Sequence, residues 1–301
     1  MIRPPFLKKG DTIGIAATAR KISEAELMPA ITKFREWGFQ VLLSEALYAE
    51  DHQFAGTDQQ RLSGFQKLLD NNTVKAIIIA RGGYGTVRLI DEIDFTSFKK
   101  NPKWIIGYSD VTVLHSHIHQ NFGIETIHAT MPLNFPKNNN ESIALSSLYN
   151  ALTNNNIEYI INRLSTEKTG ETTGILTGGN LSLLYALSGT VSDIYTNGKI
   201  LFLEDIDEYL YHIDRMILQL KRCGKLKNLA GLIVGGMTDM KDNQIPFGKN
   251  AYEIIADAVK EYDYPVCYGF PAGHMEDNRA LILGRKISLA VTEKTSIIQF
   301  L

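Results

Sequence analysis

Short apolar runs alternate with longer stretches whose apolar residues recur at helical spacing, and this alternation constrains the fold more than any other feature of the chain. A strand covered by helices on both faces reads as one continuous apolar run. The alternation therefore predicts βα units around a mainly parallel sheet, an α/β protein. The spacing predicts strands at Thr12–Ala17, Val41–Ser44, Val74–Ala80, Trp104–Gly107 and Thr126–Ala129. Between them fall helices over Glu24–Trp37, from Asp58 through Leu69, over residues 86–93, and over Val111–Asn121.

After this half the composition shifts to Asn, Lys, Thr and Ser, with PKNNN at 136–140 and TNNN at 153–156. The reading is an N-terminal α/β domain over 1–135, a linker over 136–172 with a surface helix near Ser142–Leu152, and a C-terminal α/β domain with mixed strands over 173–301. The second half opens with a glycine-rich turn, LTGGN at 176–180, and a helix over Leu181–Leu187. Strands follow at Ile200–Leu203, Leu229–Val234 and Val266–Phe270, with helices over Tyr211–Cys223 and Ala251–Glu261. The tail from Ala280 alternates in a way that suits two antiparallel strands.

A net charge of -2 gives no broad attraction for phosphate backbones or anionic membranes, so neither nucleic acid nor a membrane is an expected partner. The N-terminus lacks the apolar core of a signal peptide, and no run is long enough to span a bilayer. A cytoplasmic enzyme is the expectation. The two cysteines, Cys223 and Cys267, form no metal or disulfide set.

The most informative local feature is Ile105-Ile106-Gly107-Tyr108-Ser109-Asp110-Val111. A strand entering a tight turn and leaving as a helix lifts the serine hydroxyl to the strand's C-terminal end, beside backbone N–H groups suited to an oxyanion. The plainer reading makes Ser109 a helix N-cap, and Val111 stands where the nucleophile-elbow motif has its second glycine. Straight after the Ile-rich strand comes Ala80-Arg81-Gly82-Gly83-Tyr84-Gly85. Its spacing is not that of a dinucleotide loop. It suits a second wall of the Ser109 site, with Arg81 either pairing with a substrate carboxylate or forming an ordinary surface ion pair.

A serine nucleophile needs a base. His115 and His119 in HSHIH share a helix face at a possible zinc spacing, but no glutamate follows the first histidine. His128 and His212 read as structural or surface residues. His274 sits in a Gly-containing turn after a strand, where side chains converge on clefts. Glu204 ends the strand KILFLE and leads the acidic run through Asp205, Asp207 and Glu208, which reads otherwise as a Mg²⁺ site or a solvated turn. Ser, Glu and His at three strand ends make a triad arrangement, in which the acid holds the imidazole that takes the serine proton.

With these residues laid out, the chain resembles the LD-carboxypeptidases, the muramoyltetrapeptide carboxypeptidases of serine peptidase family S66. The resemblance spans nearly the whole length through KKGDTIGIAATA at 8–19, ARGGYG at 80–85, GYSD at 107–110, LTGGNLSLL at 176–184, LEDIDE at 203–208 and GFPAGH at 269–274. It implies a catalytic Ser109, Glu204 and His274, an oxyanion hole from the N–H groups of Asp110 and Gly83, and a site in the cleft between the domains. It further implies removal of the terminal D-alanine from murein tetrapeptide in cell-wall recycling, by a homodimer without metal or cofactor. Arg81 and Asn180 are then expected to bind the peptide. A microcin-immunity-like branch, which cleaves an adenylate analogue, uses the same triad, and an adenine-stacking aromatic would favour it. A non-catalytic small-molecule binder and a zinc hydrolase complete the alternatives.

Overall fold

A computed structural model of the chain describes residues 1–137, 142–154, 156–162, 164 and 167–301. The first half contains β1 (Thr12–Ala16), α1 (Glu24–Glu36), β2 (Gln40–Leu43), α2 (Asp58–Asp70), β3 (Val74–Ile79), α3 (Thr96–Lys100), β4 (Trp104–Ile106), α4 (Thr112–Phe122) and β5 (Thr126–His128). The remainder contains α5 (Ile143–Thr153), β6 (Glu158–Asn162), β7 (Gly170–Asn180), α6 (Leu181–Ala186), β8 (Lys199–Ile206), α7 (Leu210–Arg222), β9 (Gly231–Thr238), α8 (Ala251–Val259), β10 (Val266–Tyr268), β11 (Leu281–Leu283), β12 (Lys286–Val291) and β13 (Thr295–Phe300).

Two sheets result. The first runs β11-β5-β4-β3-β1-β2 and is parallel except for β11. The second runs β10-β9-β8-β7-β12-β13-β6, with β7 to β10 parallel and β12, β13 and β6 antiparallel. The α/β expectation, with a mainly parallel first sheet and mixed strands in the second, is met. The reason is burial: β3 and β4 carry Ile77, Ile78, Ile79, Trp104, Ile105 and Ile106 with no exposed surface, as strands covered on both faces require. Helix ends follow local chemistry as well. Ser23 with Glu26, Thr57 with Gln60 and Asn250 with Glu253 form capping boxes that start α1, α2 and α8.

Several elements differ from their expected form. Residues 86–93 make two short 3-10 turns, Thr86–Arg88 and Ile90–Glu92, in place of the expected helix. The LTGGN segment is no turn: it is the last stretch of β7, and it pairs with β8 up to Asn180 opposite Glu204. The tail supplies three strands, not two. Its first, β11, joins the edge of the first sheet by pairing Leu281 with His128. A buried ion pair, Arg285 to Glu125 at 2.5 Å, ties the same crossing.

The Asn-rich stretch is also more than a connector. Residues 138–141 and 155 lie outside the described residues. On either side of them, α5 buries Leu145, Leu148, Ala151 and Leu152 in the same core as α1, and β6 pairs with β13 at the edge of the second sheet. Among the described residues no helix is long and apolar enough to cross a membrane.

Candidate active site

β4 is three fully buried residues that end at Gly107. Tyr108 remains extended, and Ser109 then takes φ 62°, in the left-handed region that residues with a Cβ seldom occupy. From there a short 3-10 turn, Ser109–Val111, runs into α4. Ser109 is thus no N-cap, since among the described residues its hydroxyl caps neither the turn nor the helix. The backbone instead holds it up at the carboxyl end of a central strand, in a conformation that its surroundings must enforce.

The glycine loop after β3 lies directly against it. A Cβ on Gly82 would meet the Ser109 side chain at 2.9 Å, so this approach is open only to glycine. Asp110 anchors the loop from the other side. Its buried carboxylate accepts the Thr86 N–H at 2.8 Å. Burial, the largest influence on this carboxyl, raises its pKa against the hydrogen bonds it receives from the loop. Arg61, also buried, donates to the Thr18 carbonyl at 2.5 Å and to Asp58, while Thr18 and Thr86 share a 2.7 Å hydroxyl contact. Arg61 and the carboxylate of Asp110 are supports that motif reading did not single out. The signal was there, in a charged residue at an apolar position of α2 and an Asp straight after the serine.

The second sheet brings the acid and the imidazole. Glu204 lies near the end of β8 and is fully buried. His274 follows β10, in a turn pinned by the Asn278 side chain, which accepts the Gly273 N–H at 2.9 Å. The Nδ1 of His274 is 2.7 Å from Oε2 of Glu204, and the His274 backbone N–H donates to the same oxygen at 3.3 Å. Gly273, at φ 109°, leaves room for this, because a Cβ there would stand 2.5 Å from Oε2.

Burial works against ionisation of Glu204, but the imidazoles of His128 and His274 outweigh it and bring its pKa down to about 2. Burial would likewise lower His274, and the hydrogen bond and charge of Glu204 instead raise it. An Nδ1–H held by a carboxylate leaves Nε2 bare to act as a base.

Ser109 and His274 line one cavity of about 450 Å³, together with Arg20, Arg81, Gly82, Gly83, Tyr108, Met131, Asn134, Asp207 and Asp239. Residues from the carboxyl ends of both sheets therefore face the same space. No direct hydrogen bond joins Ser109 to His274 among the described residues, and such contacts often tighten only when substrate binds. Arg81 donates to the Lys21 carbonyl at 3.2 Å and makes no ion pair within 4 Å among the described residues, although its charge reaches Glu26 and, after the Ser23 hydrogen bonds, helps lower the pKa of that carboxyl. Arg20, beside Gly83, is a second cation in the cavity and was not anticipated.

Asn180 is the expected site residue that the structure places elsewhere. Its side chain is buried, donates to Asp205 at 2.9 Å and accepts from Ser182 and from the Leu183 N–H. It therefore caps α6 and holds Asp205, and it does not line the cavity that Ser109 and His274 share. Asp205 itself is pushed up to about 7 by burial and the neighbouring charge of Glu204. The other acids of that run are taken separately, Asp207 by Lys241 at 2.7 Å and Glu208 by His212 at 2.6 Å. The histidines of HSHIH are also engaged, His115 with the Gly107 carbonyl, His117 with Ser192 and His119 with Thr126.

A strained serine, a carboxylate-bound imidazole and a cationic wall at the carboxyl ends of two sheets are the parts of a serine hydrolase on an α/β scaffold. Comparison with known proteins narrows this. Residues 13–129 match the LD-carboxypeptidase N-terminal domain and residues 173–289 match the LD-carboxypeptidase C-terminal domain, so the chain belongs to the LD-carboxypeptidase family, peptidase S66. It is a serine-type carboxypeptidase, a hydrolase. It is 35% identical over 300 residues to the probable murein peptide carboxypeptidase of Bacillus subtilis strain 168, covering 99% of this chain and 94% of that one. The crystal structure of muramoyltetrapeptide carboxypeptidase from Oxalobacter formigenes superposes with a TM-score of 0.87 at 27% identity, over 96% of this chain and 98% of that one. An MccF-like protein from Bacillus anthracis strain Ames shares the fold, with a TM-score of 0.85 at 24% identity and 99% of each chain covered.

Proposed function

We propose that the chain removes the terminal D-alanine from murein tetrapeptide by way of an acyl-enzyme on Ser109. One observation carries the reading. Ser109, held at a left-handed φ, shares a cavity with His274, whose Nδ1 is fixed at 2.7 Å by the buried Glu204.

In this reading Nε2 of His274 takes the Ser109 proton as Oγ attacks the carbonyl before the D-alanine. Glu204 stabilises the imidazolium and keeps its own charge. The oxyanion falls to the N–H groups of Asp110 and Gly83, carried on the two segments that Asp110 ties together. The C–N bond then breaks, His274 returns the proton to the leaving amine, and water releases the peptide by the reverse sequence. Arg81 and Arg20 stand ready for the carboxylate of the departing D-alanine. Work as a homodimer in the cytoplasm belongs to the same proposal.

Tyr108 is the one phenyl-type ring lining the cavity among the described residues, and its plane meets His274 edge-on with centroids 4.8 Å apart. Tyr108 is also buried and so offers little open face for an adenine, which favours the carboxypeptidase over the adenylate-cleaving branch. The test is D-alanine release from L-Ala-γ-D-Glu-meso-diaminopimelate-D-Ala by wild type and by Ser109→Ala, with a chelator present. Release lost in the variant is expected. No release by folded wild type would send the same assay to aminoacyl-adenylate analogues.

A further inference from the structure

His128 is fully buried, yet among the described residues neither nitrogen of its ring has a hydrogen-bond partner. Its Nε2 faces Oε1 of Glu204 at 3.8 Å, and that oxygen too has no partner among the described residues. The other oxygen, Oε2, already holds His274. The ring has little freedom to point elsewhere. Its backbone is fixed opposite Leu281, with Phe202 edge-on at 5.0 Å and Tyr108 at 5.9 Å. Of the titratable groups around it, His115 turns its Nε2 to the Gly107 carbonyl, Tyr108 gives its hydroxyl to Asn134, and His274 is held by Glu204. His115 keeps an unpartnered Nδ1 among the described residues, with its ring 6.4 Å from that of His128, and Glu204 is the charged group that His128 Nε2 faces. An apolar side chain would fill the same space without stranding polar atoms, so the imidazole asks for a functional explanation.

We propose that His128 is a positioning residue for the reaction: its Nε2–H holds Oε1 of Glu204, so that Oε2 stays turned to His274. The inference rests on the Ser109–His274–Glu204 reading above. A closure of about 1 Å brings the pair to hydrogen-bond length. A carboxylate held at one oxygen only can rotate about its last bond and carry the His274 ring with it. Held at both, it presents a fixed acceptor while the imidazolium forms. His128 passes no proton and touches no substrate.

The experiment compares wild type, Ser109→Ala, His128→Leu and His128→Gln for D-alanine release across pH, with Tm measured for each. In His128→Leu, kcat is expected to fall roughly 10- to 100-fold, the scale on which outer partners of a reacting group act, with KM within about twofold. The acid limb of the kcat profile moves to lower pH, because the His274 imidazolium loses support. In His128→Gln the amide nitrogen takes the place of Nε2, and it is expected to recover most of kcat and the acid limb. A merely structural residue would lower Tm in both variants and leave the limb where it was. Unchanged kcat and limb in folded His128→Leu would overturn the proposal.

The wild-type protein offers a measurement independent of folding in the variants, its histidine ¹⁵N spectrum. Nε2 of His128 must carry the proton, and a bare Nε2 with the proton on Nδ1 overturns the proposal. If wild type releases no D-alanine, or does so without need of Ser109, the parent reading fails instead, and the tautomer still reports on His128.

Discussion

The side chain of Ser109 lies where a Cβ of Gly82 would meet it, 2.9 Å from its Cβ and 3.0 Å from its hydroxyl oxygen. Atoms that close force something to move, and Met131 at 3.3 Å closes the third side. The loop after β3 and the turn after β4 are therefore packed as one unit, with the Asp110 carboxylate on the Thr86 N–H as the fastening.

Gly82→Ala is expected to push the loop off the serine while leaving every backbone N–H in the chain intact. A displacement near 1 Å at a reacting centre costs about a hundredfold in rate. Steady-state kinetics should show kcat lower by roughly that factor with Tm little changed. Wild-type kcat in this variant would mean the loop takes no part in holding the intermediate.

The pH dependence follows from His274. The base must be neutral to take the serine proton, and Glu204 raises its pKa above the ordinary 6.5. The acid limb of kcat/KM should accordingly lie above that value. Glu204→Gln removes the charge and leaves burial, which lowers an imidazole. The limb then moves down, and activity falls roughly 10³- to 10⁴-fold as the tautomer is lost. A limb that stays in place would assign the titration to another group.

Arg81 lines the cavity and makes no ion pair within 4 Å among the described residues. Losing a charge-assisted hydrogen bond costs about 1.5–3 kcal/mol, so Arg81→Ala should lower kcat/KM roughly 10- to 150-fold. The control is a tetrapeptide ending in D-alaninamide, on which wild type and variant should perform alike. Equal losses on both substrates would make Arg81 a support of the loop. The same comparison on Arg20→Ala ranks the two cations.

Much of this site was legible because it is written in short local segments. Strand, turn and helix around Ser109, the glycines at 82–85 and the turn before His274 each occupy a few consecutive residues whose types match one geometry. What stayed hidden depends on contacts between distant segments. Asn180 looked available because a Gly-Gly-Asn sequence resembles a turn, whereas pairing of β7 with β8 buries it on Asp205. His128 looked structural because nothing local links it to Glu204, across two sheets. The tail's first strand went unread for a similar reason: its apolar Leu281–Leu283 fits either sheet, and the partner β5 lies far back in the chain. Periodicity reports that a face is buried and leaves open what it is buried against.

Ser109 itself allows a test of the turn apart from catalysis. A residue with a Cβ is disfavoured by about 1–2 kcal/mol in the left-handed region, and glycine escapes this while giving back about 0.5–1 kcal/mol in unfolded-chain entropy. Ser109→Gly should then be more stable than Ser109→Ala by roughly 0.5–1 kcal/mol, since alanine keeps the Cβ at φ 62°. Urea unfolding of the two inactive variants reads the difference as a shift in midpoint at constant m. A glycine variant no more stable than the alanine variant would mean the turn carries no strain, and the hydroxyl would then be held up by packing against Gly82 alone.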